Sequence, residues 1–153
     1  MKHRLEIYAD YFQIHIQTKM DDFEIEWNTS QLENLIAQTS SGITIGTVRN
    51  MEVPLTIEVF KKRPNINFDE WDQINECSLE VSNNELLISG GSDGIDETKH
   101  ISISNGTYKA LILYKGLSTI SMDGLDGDDS YYLYLWKENR TLDTKIKVLK
   151  KRN

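Results

Sequence analysis

The chain of 153 residues holds one cysteine, Cys77, so no disulfide can form within it. Prolines number only two, Pro54 and Pro64, and no Pro-, Gly- or Ser-rich tract resembles an interdomain linker. Long apolar runs are also missing. A membrane-spanning helix needs about 20 mainly apolar residues, and no stretch approaches that. The basic start, Met1-Lys2-His3-Arg4, is interrupted by Glu6, Asp10 and Gln13 where a signal peptide would carry its apolar segment. Positive charge is outnumbered, with 17 Lys and Arg against 24 Asp and Glu, a net charge of -7. That balance argues against nucleic acid as the main partner, because phosphate neutralisation needs clustered Lys and Arg. It suits solubility, and it would also speed the approach of a basic protein. These absences lead to an expectation of a cytoplasmic protein with one domain over residues 1-153, no cofactor and no membrane partner. A chain of this size buries roughly 70% of its unfolded surface, so it needs neither disulfide nor structural metal to hold a core.

What the sequence does contain is alternation of polar and apolar residues at strand period. It appears at Ile14-His15-Ile16, extending from Tyr11-Phe12, at Ile43-Thr44-Ile45 and at Leu55 to Val59. It recurs at Cys77 to Val81, Leu86-Leu87-Ile88, Ile101-Ser102-Ile103, Tyr108 to Tyr114, Tyr131 to Trp136, and Ile146 to Leu149. Turn residues that tolerate positive φ stand between these segments: Asn83-Asn84, Gly90-Gly91-Ser92-Asp93-Gly94, Asn105-Gly106 and Asp123-Gly124. Asn105-Gly106 fits a two-residue hairpin joining 101-104 to 107-114. The spacing predicts a mainly β domain, an antiparallel β-sandwich or a partly open barrel. One short helix is expected over about residues 31-39. Ser30-Gln31-Leu32-Glu33 reads as its capping box, Leu32, Leu35 and Ile36 as its apolar face, and Ser40-Ser41-Gly42 as its end. A helical turn capped by Asn67 competes with a strand running through Trp71. The strand is preferred because Trp71, Cys77, Leu79 and Val81 share one parity.

Few constellations carry chemistry. Gly90-Gly91-Ser92-Asp93-Gly94 matches a nucleophile elbow, but an elbow must open a helix within a parallel sheet. Here it leads into another strand, so a hairpin loop is expected. His3, His15 and His100 show no metal-ligand spacing with one another or with Cys77. Cys77 falls on the apolar side of its strand and reads as a buried thiol. Only a pocket holding His15 or His100 against a carboxylate would restore an enzymatic reading.

The densest polar feature is the loop Asp123-Gly124-Leu125-Asp126-Gly127-Asp128-Asp129, with four carboxylates in seven residues. Hard cations take several oxygens, so a weak Ca²⁺ site is one reading, although the spacing is not that of an EF-hand. A solvated turn and a contact for a basic partner are the others. Tyr131 to Trp136 follows at once. Alternation puts Tyr131, Leu133 and Leu135 on one face and Tyr132, Tyr134 and Trp136 on the other. Such a strand is usually central in a sheet covered on both sides; the sharper alternative is an aromatic surface row for a ligand or partner.

The order of several motifs resembles the competence protein J, or DNA-entry nuclease inhibitor, family. The matching residues are Tyr11-Phe12, Trp27 ahead of a helix, Gly42 with Arg49-Asn50, and Gly106 with Tyr108. A broader group of bacterial proteins is similar from Trp71-Asp72 through Glu76 to Ser78-Leu79-Glu80-Val81, and in the Asp123–Asp129 loop leading to Trp136. The acidic loop and the greater length depart from the inhibitor pattern. The resemblance implies a sandwich-like fold and a non-enzymatic protein that masks a basic nuclease or toxin. The expected partner contacts are Asp123, Asp126, Asp128 and Asp129. The alternative is a small-ligand or Ca²⁺-binding β-domain.

Overall fold

The computed structural model describes residues 1–21, 25–39, 41–139 and 145–153. In chain order the strands are β1 (Lys2–Tyr8), β2 (Gln13–Gln17), β3 (Ile36–Thr39), β4 (Gly42–Gly46), β5 (Glu52–Phe60), β6 (Gln73–Val81), β7 (Glu85–Gly90), β8 (Lys99–Ser102), β9 (Gly106–Lys115), β10 (Ser130–Lys137) and β11 (Lys147–Lys150). The helix α1 (Thr29–Asn34) precedes β3. Six strands form one sheet in the order β1-β5-β10-β9-β6-β11, and five form the other in the order β3-β4-β2-β7-β8. The fold is a β-sandwich, not a closed barrel. The expected all-antiparallel pairing has one exception, since β10 runs parallel to β5.

One apolar cluster draws on both sheets. Ile14, Ile16, Ile43, Ile45 and Ile88 come from the smaller sheet, and Leu55, Ile57, Leu79, Ile112, Leu133 and Leu135 from the larger. Each such side chain contributes roughly 1.5–3 kcal/mol when taken from water. β10 lies between β5 and β9, as its two apolar faces required. Tyr131, Leu133 and Leu135 enter this core, while Trp136 joins a second cluster on the outer face with Trp71, Ile74, Leu111 and Leu113.

Four local expectations need correction. The helix ends at Asn34, not near 39. Its capping box is Asn28 with Gln31: Asn28 Oδ1 accepts from the Gln31 amide at 2.9 Å and Gln31 Oε1 from the Asn28 amide at 3.0 Å. Leu35 turns into the left-handed region at φ 57, and its carbonyl accepts from the Gly46 amide at 2.8 Å and the Tyr114 hydroxyl at 2.6 Å. Those tertiary bonds end the helix and release Ile36 and Ala37 to bury as a strand beside β4. Of the expected stop, Ser40 lies outside the described residues. Second, Tyr11 and Phe12 do not extend β2; they sit in a 3₁₀ turn with φ 57 and 59.

Third, the helical turn capped by Asn67 is the one that forms, over Phe68–Glu70, and it places Trp71 on the opposite side from Cys77, Leu79 and Val81. Fourth, Asn105-Gly106 does not make a hairpin. β8 pairs with β7 in one sheet and β9 with β6 and β10 in the other, so this turn carries the chain across the sandwich. The loop after Gly90 does join an antiparallel pair, β7 and β8, which is hairpin and not elbow geometry.

Candidate functional site

The acidic segment is the β9–β10 connection, residues 116–129. Gly116 lets it close. At φ 69 a side chain is strained there, and a Cβ would stand 2.3 Å from the Asp128 carbonyl oxygen. Inside the loop the polar groups bind one another. Ser121 Oγ donates to Asp123 Oδ1 at 2.6 Å and accepts from the Asp126 amide at 3.0 Å. The Leu125 amide donates to the same Asp123 oxygen at 3.0 Å, and the Ser121 amide to the Asp126 carbonyl at 2.7 Å. The Asp128 amide donates to Thr119 Oγ1 at 2.8 Å. Hydrogen bonds from Ser121 and then Leu125 hold the Asp123 carboxyl below its ordinary range.

Asp123, Asp126 and Asp128 are exposed on this loop, but Asp129 is turned inward and only 1% exposed. Arg49 Nε donates to Asp129 Oδ1 at 2.8 Å, and the Tyr131 hydroxyl donates to Oδ2 at 2.8 Å. Tyr131 in turn accepts from the Val48 amide at 3.0 Å, and Arg49 Nη1 reaches the Leu125 carbonyl at 3.3 Å. Burial pushes the Tyr131 hydroxyl's pKa up, so it stays a neutral donor. The loop therefore shows three carboxylates to solvent while the fourth anchors it to residues 47–50. Nothing local signalled that pairing, because Arg49 and Asp129 lie far apart in sequence. Among the described residues no group of three or more His, Cys, Asp or Glu is placed to hold a metal ion, so the Ca²⁺ reading gains no geometric support.

The other candidates sort as follows. Tyr132 and Tyr134 lie on the outer face of the larger sheet, but the row is packed, not bare. Trp71 meets Tyr132 edge-on at 4.9 Å, Phe60 meets Tyr134 at 5.0 Å, and Trp136 is 2% exposed. Lys115 Nζ stands 4.4 Å from the Trp71 ring centre, and the Arg63 guanidinium 5.0 Å from that of Trp136. His100 Nδ1 pairs with Glu85 Oε1 at 2.9 Å across an open strand pair. His15 Nδ1 bonds Thr44 Oγ1 at 2.9 Å, and burial lowers its pKa. Four cavities of ≈ 310 to 560 Å³ among the described residues are lined by no histidine. Cys77 is buried, and desolvation pushes its thiol up to about 12, which suits a packing role.

The segment 47–50 has a second neighbour that the sequence did not reveal. The Thr47 amide donates to the Phe12 carbonyl at 3.0 Å, and Asn50 Nδ2 to Asp10 Oδ1 at 3.2 Å. The strained Tyr11-Phe12 turn and the acidic loop are thus moored to one short stretch, the turn through Thr47 and Asn50 and the loop through Arg49.

No protein-family model matches this chain, and no curated protein matches it. Solved structures do share its fold. ComJ from Bacillus subtilis, described as an inhibitor of the DNA-degrading activity of NucA, superposes with a TM-score of 0.68 at 14% identity, covering 90% of this chain and 96% of ComJ. A protein described as crocagin biosynthetic gene J gives a TM-score of 0.53 at 11% identity, covering 90% of this chain and 96% of its own. At these identities the likeness is one of fold, and it runs across nearly the whole of both chains.

Proposed function

We propose that this protein is a non-enzymatic binder that masks the basic surface of a protein partner, a nuclease or toxin. The observation that carries the reading is the acidic loop. Three carboxylates, Asp123, Asp126 and Asp128, stand exposed on a segment whose backbone is held by its own hydrogen bonds and by the buried Arg49–Asp129 pair. A loop held this way loses little entropy when it docks, and its charge would raise the encounter rate with a cationic partner. The shared fold with an inhibitor of DNA degradation supports the same class of role. In this reading Asp123, Asp126 and Asp128 are the contacts, and Asp129 acts from behind by fixing the loop.

The test is to isolate the partner from the native host, then measure its affinity for the wild type and for Asp123→Asn/Asp126→Asn/Asp128→Asn across a salt series. The variant should bind more weakly and lose much of the salt dependence. Unchanged affinity and salt slope would remove the loop as the contact.

A further inference from the structure

One end of the sandwich carries four segments that touch in series, and the acidic loop is only one of them. The β7–β8 loop, residues 91–98, lies against the Tyr11 turn. A Cβ on Gly91 would strike the Asp10 carbonyl oxygen and touch the Tyr11 side chain, so this close approach requires glycine. Asp10 accepts from the Ser92 side chain and, at 3.2 Å, from Asn50 Nδ2. Residues 47–50 then reach the acidic loop through Arg49. The β7–β8 loop repeats the chemistry of the acidic one. Asp93 Oδ2 accepts from the Gly90 amide at 2.7 Å, Glu97 Oε2 from the Gly94 amide at 3.0 Å, and Thr98 Oγ1 donates to the Gly94 carbonyl at 2.9 Å. These bonds fix the backbone and leave Asp96 and Glu97 exposed. Large apolar side chains stand among the acids. Ile95 is 76% exposed and Tyr11 69%, and Met122, at the tip of the turn closed by the Gly124 amide on the Ser121 carbonyl, is fully exposed. Tyr11 is held there in the left-handed region at φ 57, which a side chain of its size rarely adopts. Backbone strain of this kind persists where the surroundings impose it, and it gathers at binding surfaces.

We infer that this whole end is one docking face for a cationic protein, with Asp96 and Glu97 as a second set of ionic contacts and Ile95 and Tyr11 as apolar anchors. The inference rests on the proposed function and extends its contact surface. Area argues for the extension. A stable interface takes about 800 Å² and about 20–30 residues from each partner, and the acidic loop alone cannot supply them. Charge names the occupant. Exposed Asp96 and Glu97 flank the Tyr11 turn on one side, and the loop of Asp123, Asp126 and Asp128 flanks it on the other, across residues 47–50. The cations nearby are engaged or peripheral. Arg49 binds Asp129, Lys99 Nζ donates to the Glu6 carbonyl at 3.0 Å, and Arg152 borders Tyr11 and Phe12 from the side of α1, where the face ends. Exposed Lys61, Lys62 and Lys137 stand at the far end, where the parallel strands β5 and β10 finish. Nucleic acid is repelled by such a face. A second copy could offer its lysine end, but that head-to-tail contact does not close on itself and would grow into filaments.

The probe is a synthetic peptide of about a dozen residues that alternates Lys with Trp and Leu, titrated into the isotope-labelled full chain and followed by NMR. Oligolysine and the same peptide with Glu in place of Lys are the controls. Amides of 10–12, 92–97 and 122–128 should shift together with one affinity, and those of 61–62 and 137 should stay. The Glu peptide should shift none of them. Tyr11→Ser with Ile95→Ser changes exposed side chains, so its melting should be native, and Ile95→Ser alone serves where it is not. Either should weaken the Lys/Trp/Leu peptide about tenfold, as loss of an anchor does, and leave oligolysine unchanged. Asp96→Asn/Glu97→Gln should lower the salt dependence of both cationic peptides. Shifts confined to 122–128, or separate affinities for the two loops, would overturn the single face and leave the proposed function standing. Anchor variants that bind the Lys/Trp/Leu peptide as the wild type does would overturn Ile95 and Tyr11 as anchors, and the inference with them. No response to either cationic peptide, or binding of the Glu peptide, would overturn the inference and count against the proposed function as well. Shifts that grow with protein concentration without any peptide, and vanish in salt, would give the face to a second copy and overturn the cationic partner.

Discussion

Arg49 Nε lies 2.8 Å from Asp129 Oδ1, with the Asp129 side chain fully covered and that of Arg49 12% exposed. Removing one partner of a covered ion pair strands the other, which costs on the order of 3 kcal/mol. Arg49→Ala should therefore destabilise the protein by that amount, a fall in Tm of about 10 °C for a domain of this size. Arg49→Met with Asp129→Leu should recover much of the loss, because no charge is then left buried. Calorimetric melting of the wild type and the variants reads this directly. An Arg49→Ala protein as stable as the wild type would show that Asp129 is hydrated in solution.

Asp123 gives a prediction in pH. Its carboxyl lies below the ordinary 3.8 because Ser121 Oγ and then the Leu125 amide bind the charged form. The sign follows from linkage. A group whose folded pKa is depressed adds stability that is complete above its unfolded value and is lost as pH falls through the folded value. The loop should keep its geometry on acidification past 3.8 and give it up only below that. Titration of the Asp123 carboxyl carbon by NMR should show a midpoint under 3.8, and Ser121→Ala should move it upward. A midpoint at or above 3.8 in the wild type would mean that these hydrogen bonds do not persist in solution.

The sandwich was legible in the sequence because most strands alternate cleanly and glycine or asparagine stands between them. Tyr131 to Trp136 even announced its central place by being apolar on both faces. The misread elements are those that a distant contact decides. Ser30 and Glu33 make a plausible capping box, but Asn28 and Gln31 satisfy the same donors earlier, and Tyr114 takes the Leu35 carbonyl that a longer helix would need. Trp71 has the parity of the core residues, yet the 3₁₀ turn before it moves it to the outer face. At the site, the acid density of 123–129 was visible but its division was not. Only Arg49 and Tyr131 make Asp129 an internal anchor, and neither stands out as its partner from spacing.

His15 makes the second pH-dependent prediction, with the opposite chemistry. It sits in mid-strand on β2, its Nδ1 bonded to Thr44 Oγ1, and burial lowers its pKa from 6.5 despite the opposing charge of Asp93. Desolvation disfavours the imidazolium, so the folded state resists a proton that the unfolded chain accepts. As pH falls below 6.5 the unfolded state binds more protons, and stability must drop until pH reaches the lower folded value. Below that both states are protonated and this contribution stops changing. Urea midpoints measured from neutral pH to about pH 5 should therefore decline in the wild type, and His15→Gln should flatten part of that decline. His3 and His100 remain in both proteins, so the difference between the two curves isolates His15. Parallel curves would mean that the ring is solvated and that the Thr44 contact does not exclude water.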